Sequence, residues 1–155
     1  MAGKVFSCEK KLEKAGLQIS EEAALEVRGQ DHPWVSRGGL KLTHGLAEFN
    51  LSTKDCICMD IGSSTGGFTD VMLQNGATRV YAVDVGRGQL AWKLRSDDRV
   101  VVLEKTNARH LTSEIIPDPL DFISCDASFI GLKTLLPASL ELARPGAHLL
   151  SLIKD

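Results

Sequence analysis

This sequence has no excess of positive charge. Eighteen lysines and arginines stand against twenty aspartates and glutamates, for a net charge of −2. That balance gives no support for a strongly basic nucleic-acid surface and does not exclude a local basic patch. Long apolar runs are missing too: nothing approaches the roughly 20 residues of a membrane-spanning helix. The Met1 to Ser7 start has no apolar signal-peptide core. A cytoplasmic protein with no membrane insertion is expected. The four cysteines, Cys8, Cys56, Cys58 and Cys125, form no Cys-x-x-Cys and no Cys/His cluster of zinc spacing. Free thiols and no metal site are therefore expected. Internal repeats and low-complexity stretches are also absent. What remains is 155 residues, 43% apolar and 25% charged, which suits one globular domain with a small appendage.

The most informative stretch runs from Cys56 to Asp70. Cys56 to Ile61 is a short apolar run that suits a buried strand. Gly62 ends it, Ser63 to Thr65 offer side-chain oxygens for capping, and Gly66-Gly67 allow a close backbone approach. A helical pattern follows through Phe68, Val71 and Met72 and stops at Asn75-Gly76. Strand, glycine turn and helix together can receive a nucleotide-like ligand at a helix N-terminus. The same pattern also fits an ordinary turn whose glycines serve packing. Ser64 replaces the second glycine of Gly-x-Gly-x-x-Gly, and no Gly-Lys-Ser/Thr follows. A cofactor without a pyrophosphate, such as S-adenosylmethionine, fits this loop better than NAD or ATP.

The amino-terminal part is hard to read. Ala2 to Phe6 and Ala24 to Val27 look like short strands, and Glu9 to Ala15 reads as a charged helix on propensity alone, ending at Gly16. Gln30 to Ser36 is linker-like. Ser36 can cap a helix through Leu40, Leu42, Leu46 and Phe49, placing Arg37 and Lys41 one turn apart on one face. After the Cys56 strand the chain alternates. Strands are expected at Arg79 to Val83, Val100 to Glu104, Asp121 to Cys125 and His148 to Ile153. Helices are expected at Gln89 to Arg95 and Leu132 to Ala143, the latter holding Pro137 and stopped by Arg144-Pro145-Gly146. Such alternation indicates a mostly parallel sheet with helices on both faces, an α/β Rossmann-like fold.

In such sheets ligands lie beyond the carboxyl ends of the strands. The expected strands end at Asp60-Ile61-Gly62, Asp84, Thr106-Asn107, Asp126 and Lys154. Asp84 follows Asp60 at the spacing of an acid that binds ribose hydroxyls. Asn107 can offer a donor and an acceptor to a base edge. Each of these residues also has a plainer reading as a cap, a turn or a solvated charge.

Several segments together resemble one family. They are Trp34 to Leu42, Asp60 to Asp70, Val80 to Gly86, Gln89 to Arg95, Thr106 to Arg109 and Cys125 to Ile130. They are similar to the TlyA family, whose members are called hemolysins or ribosomal RNA 2′-O-methyltransferases and whose catalytic domain is of the FtsJ type. The resemblance implies a partial S-four-like RNA-binding module at 1–28, extended rather than helical around residues 9–15. It further implies a linker at 29–36 and a methyltransferase domain at 37–155. It implies S-adenosylmethionine as cofactor, held by Asp60, Gly62, Ser63, Ser64, Thr65, Gly66, Gly67, Phe68, Asp84, Val85, Thr106, Asn107, Ala108 and Asp126. Lys41, Asp126 and Lys154 match the first three members of a Lys-Asp-Lys-Glu catalytic set, and Lys4, Arg37 and Lys41 would meet RNA. The implied partner is ribosomal RNA or a ribosomal subunit.

The family pattern continues beyond Lys154 to the catalytic glutamate, and its RNA module starts earlier than Met1. The expectation is therefore a polypeptide truncated at both ends and catalytically impaired, with the 148–153 strand an apolar, poorly covered edge. The alternatives are an RNA- or ribosome-binding fragment that does not turn over, and a hemolysin-type protein. No basic amphipathic helix supports the latter.

Overall fold

The structure, a computed structural model, describes residues 5–7, 10–12, 18–27, 32–127 and 131–153. The chain forms two compact units, Met1–Pro33 and Trp34–Asp155.

In the first unit three short antiparallel strands, β1 (Val5–Ser7), β2 (Lys10–Lys11) and β3 (Leu25–Val27), lie in the order β2-β1-β3. Phe6 stands opposite both Lys11 and Glu26. Lys10 and Lys11 are strand, so the helix favoured by local propensity does not form there; pairing with β1 satisfies their backbone instead. Lys4 and residues 13–17, Gly16 among them, lie outside the described residues.

The second unit opens with α1 (Gly38–Glu48). It continues with β4 (Ile57–Ile61), α2 (Gly67–Gln74), β5 (Arg79–Val83), the single turn α3 (Trp92–Arg95) and β6 (Val100–Leu103). A 3-10 turn at Ala108–His110, β7 (Leu120–Cys125), α4 (Leu132–Glu141) and β8 (Ala143–Ser151) complete it. The five strands pair in the order β6-β5-β4-β7-β8, every pair parallel. The fold is thus the mostly parallel α/β sheet read from the alternation.

Two-residue periodicity divides the core. Cys58, Val80, Ala82, Phe122 and Leu150 point to one face and pack with Leu42 and Leu46 of α1, Phe68, Val71 and Met72 of α2, and Leu90 and Leu94. Met59, Ile61, Tyr81, Val83 and Ile123 point to the other and meet Ala108, Leu111, Ile116 and Leu135. A parallel sheet covered on both faces needs such unbroken apolar strands. Every residue of α2 from Gly67 to Leu73 is buried, including Asp70.

Local structure departs from the sequence reading in four places. Ser36 does not cap α1: the N-cap is Arg37, in helical conformation and without a side-chain cap, while the Ser36 carbonyl accepts from Gly39 N–H at 3.2 Å. No Ser63–Thr65 side chain caps α2 either. Its N-cap is Gly66, at φ 100°, and the Ser63 carbonyl receives that residue's N–H at 2.8 Å. The helix expected at Gln89 to Arg95 shrinks to one turn, because Ala91 is extended (ψ 140°) and gives its N–H to the Thr65 carbonyl at 3.0 Å.

Arg144-Pro145-Gly146 does not stop a helix, since α4 has already ended and Ala143 begins β8. The β7–β8 register slips between the pairs Leu120–Ala143 and Phe122–His148. Proline and a glycine at φ 83° occupy this irregularity, where a missing N–H costs no ladder bond. The Arg144 guanidinium pairs with Asp121, whose other carboxylate oxygen accepts Ile57 N–H at 2.8 Å and so anchors the start of β4. β8 lies at the sheet edge, and only Leu150 in it is buried.

Candidate functional site

From central β4 the chain moves outward to β5 and β6, then returns to add β7 on the opposite side. The crevice beyond the strand ends at such a reversal is where α/β sheets bind ligands. Here it is a cavity of about 430 Å³.

Each strand end contributes to the cavity. Gly62, at φ 78°, carries the chain past the end of β7, where a Cβ would lie 2.9 Å from the Asp126 carbonyl oxygen. Only glycine meets both demands. Asp84, after β5, accepts Ser64 N–H on Oδ2 and Gly86 N–H on Oδ1, each at 2.7 Å. Two loops are thus pinned to one carboxylate that retains lone pairs for a ligand. Thr106 N–H donates to the Asp84 carbonyl at 2.9 Å. Asn107 Oδ1 caps the 3-10 turn by accepting Arg109 N–H at 3.0 Å, and Ala108 lies buried behind it. Val85 exposes 66% of its surface at the cavity wall.

A smaller space of about 160 Å³ shares Gly62, Ser64 and Asp126 with the first and reaches the start of α1 at Ser36 and Gly38. Ser63, Thr65, Gly67 and Phe68 line it, with Asp60 at its base. Beside it Lys41 Nζ stands 3.8 Å from Asp126 Oδ2. The structure therefore brings Lys41 and Asp126 together, with Arg37 exposed one turn before Lys41. Lys4 and Lys154 lie outside the described residues, as do 128–130.

Gly66 borders neither space. A Cβ on it would sit 2.2 Å from Leu94 Cδ1 and 2.8 Å from Leu90 Cδ1. On Gly67 a Cβ would meet Ser36 Oγ at 2.3 Å and Gly39 N at 2.8 Å. What approaches these two glycines is the protein's own α3 and α1.

Asp60 is buried beneath the loop, accepting Thr69 Oγ1–H at 2.7 Å and Ser124 Oγ–H at 3.2 Å. Burial pushes its pKa up to about 6 against those hydrogen bonds, and the neighbouring Asp126 charge pushes it further. A carboxyl whose folded pKa lies above its unfolded value stabilises the fold fully below the unfolded value of 3.8. That contribution is lost as pH rises through about 6. Stability should therefore fall between about pH 4 and 6 by on the order of 2–3 kcal/mol from this group. Asp60→Asn should flatten that slope in denaturant titrations across the window; an unchanged slope would show that Asp60 is not its source.

Sequence reasoning did not single out Gly86, Gln89, Ala127 or Leu135, all of which line the large cavity. Gly86 and Gln89 had a signal, standing two and five residues past Asp84: a Cβ on Gly86 would lie 3.0 Å from Asp84 Oδ1 and 3.3 Å from Gln89 Nε2. Asp70 was missed as well. Its Oδ2 accepts Val35 N–H at 2.8 Å, while Oδ1 accepts from Gln74 at 2.9 Å and lies 3.5 Å from Lys93 Nζ. Cys56, Cys58 and Cys125 are free, and burial pushes all three thiols upward.

A family profile described as FtsJ-like methyltransferase matches residues 34–154. The chain is 52% identical over 155 residues to a Bacillus subtilis protein provisionally named rRNA methyltransferase YqxC, covering 99% of this chain and 55% of that one. It is 48% identical over 142 residues to the 16S/23S rRNA (cytidine-2′-O)-methyltransferase TlyA of Mycobacterium tuberculosis, covering 91% and 53%. Among solved structures, a protein provisionally titled a hemolysin from Streptococcus thermophilus superimposes with a TM-score of 0.79 at 47% identity, covering 97% of this chain and 56% of that one. The chain spans about half the length of the curated relatives it matches. Among the described residues, no helix is long and apolar enough to cross a membrane.

Proposed function

The chain belongs to the FtsJ-like methyltransferase family, and on that premise we propose that it carries the cofactor half of an S-adenosylmethionine-dependent enzyme that methylates a ribose 2′-hydroxyl of ribosomal RNA. The observation that carries this reading is the pair of spaces that share Gly62, Ser64 and Asp126, one holding Asp84 and the other lying beside the Lys41–Asp126 pair. One offers a carboxylate for ribose hydroxyls, an apolar wall at Val85 and an amide at Asn107. The other offers paired charges for an acceptor.

A volume of about 430 Å³ is of the size that small-molecule sites have. The residues fit a nucleoside with a charged tail: Asp84 would hold the ribose, Asn107 the base edge, and the Gly62 to Phe68 loop with Asp126 the remainder. The cofactor supplies an electrophilic methyl group. The protein's own residues must then orient a 2′-hydroxyl and remove its proton. Lys41, held by Asp126, would orient the hydroxyl and stabilise its developing negative charge. Lys154 would take the proton, a role open to a lysine whose pKa a second cation lowers. Positioning the hydroxyl in line would supply much of the rate. A partial S-four-like module at 1–28, with Lys4, and Arg37 beside the site would contribute RNA contacts.

The test is a calorimetric titration of S-adenosylmethionine. Asp84→Ala should weaken binding by about 10- to 100-fold, the loss of one or two charge-assisted hydrogen bonds. Asp84→Asn should weaken it less. Binding unaffected by Asp84→Ala in a folded protein would overturn the cofactor assignment. Transfer of labelled methyl to ribosomal RNA, recovered as a 2′-O-methyl nucleoside, tests the rest.

A further inference from the structure

Trp92 has no role in the cofactor crevice, yet it exposes 77% of its surface. It is the first residue of α3, and its neighbour Leu94, 1% exposed, packs against the glycine loop. Two residues along a helix turn the chain by about 200°, so Trp92 faces away from that contact, outward. The bond from Ala91 N–H to the Thr65 carbonyl places this end of α3 beside the loop after β4, at the rim where the crevice opens.

Cations gather at the same rim. Lys93 follows Trp92 and reaches buried Asp70, which also holds Val35 N–H. Arg37 lies two residues beyond Val35, and Lys41 one turn further along α1. The start of α1 packs directly on Gly67, the first residue of α2. An exposed indole and Lys93 thus stand on α3 beside the glycine loop, while Arg37 and Lys41 stand at the start of α1, which packs on the amino end of α2.

We propose that Trp92 is a stacking platform for an unpaired RNA base next to the methylated nucleotide, flanked by Arg37 and Lys93 as phosphate contacts. Aromatic stacking suits single-stranded RNA because every base presents a π-face. Two of the three cations already face carboxylates, Lys93 that of Asp70 and Lys41 that of Asp126. Binding should therefore depend on salt less steeply than three unpaired cations would make it.

The proposal rests on the RNA methyltransferase reading, and the experiment separates the two. A fluorescently labelled single-stranded oligocytidylate is titrated into the full chain and its Trp92→Ala and Trp92→Phe variants, with S-adenosylmethionine affinity and thermal midpoint measured in parallel. Trp92→Ala should weaken RNA binding about tenfold, with Trp92→Phe recovering most of the loss. Cofactor affinity and midpoint should not move. The RNA should also quench tryptophan fluorescence in the native chain and lose most of that effect in Trp92→Phe, where Trp34 is the remaining tryptophan. Equal RNA binding by the native chain and Trp92→Ala overturns the platform and leaves the methyltransferase reading standing. No RNA binding by the native chain overturns the platform, absent S-adenosylmethionine binding in the parallel titration overturns the methyltransferase reading, and a midpoint that drops in Trp92→Ala with no change in RNA affinity makes Trp92 a packing residue.

Discussion

Gly66→Ala lowers the stability of the Trp34–Asp155 unit by about 2–5 kcal/mol, a drop of roughly 10 °C in thermal midpoint. Two separate costs add. At φ 100° the backbone of Gly66 is one that a side chain disfavours. The added Cβ would also stand 2.2 Å from Leu94 Cδ1 and 2.8 Å from Leu90 Cδ1. Leu94 and Leu90 are both buried, so neither can swing away without opening the core around α2. Gly66→Arg goes further and removes the folded state. Loss of cofactor binding in Gly66→Arg would therefore report unfolding, not a blocked loop, and circular dichroism on the same sample distinguishes the two. A Gly66→Ala midpoint within a degree of the native one would show that α3 yields freely and that Gly66 is not a packing residue.

Lys41→Ala should cut methyl transfer by about 10²- to 10³-fold in a single-turnover assay while leaving S-adenosylmethionine affinity unchanged. The ammonium stands 3.8 Å from Asp126 Oδ2 and lines neither space, so under the proposed function it would act on the hydroxyl and not on the cofactor. Lys41→Arg should recover little, because a planar guanidinium cannot reproduce a compact ammonium. Asp126→Ala should lose both transfer and part of the cofactor affinity, since Asp126 borders both spaces. The double substitution should cost less than the product of the singles, because the two residues act as one pair. A Lys41→Ala protein that transfers within threefold of the native one would remove Lys41 from the chemistry. If cofactor affinity falls equally with transfer, Lys41 belongs to cofactor binding instead.

Much of the fold was legible because parallel strands buried on both faces leave an unbroken apolar signature. Ile57–Ile61, Arg79–Val83 and Leu120–Cys125 stand within a residue of where the periodicity put them. The site's outline was legible for a related reason. A polar residue that ends such a strand is delivered to the rim by topology alone, as Asp84, Asn107 and Asp126 are. The sequence by itself therefore determined the sheet, its helices and the rim that carries the crevice. It could not determine what depends on contacts between segments distant in the chain. Arg144-Pro145-Gly146 reads locally as a helix stop, but pairing with β7 turns it into a strand irregularity. Lys10 and Lys11 favour helix by composition and become strand through pairing with β1. A turn pattern that fits ligand and packing alike gave no view of what surrounds Gly66 and Gly67; in the folded chain a Cβ on Gly66 would meet Leu90 and Leu94, and one on Gly67 would meet Ser36 and Gly39, while Gly67 also lines the smaller space. Asp70, given no role by its local pattern, is a buried junction only because Val35 and Lys93 close on it. Local propensity and period act over a few residues, whereas steric contact and hydrogen-bond closure act between residues that only the folded chain brings together.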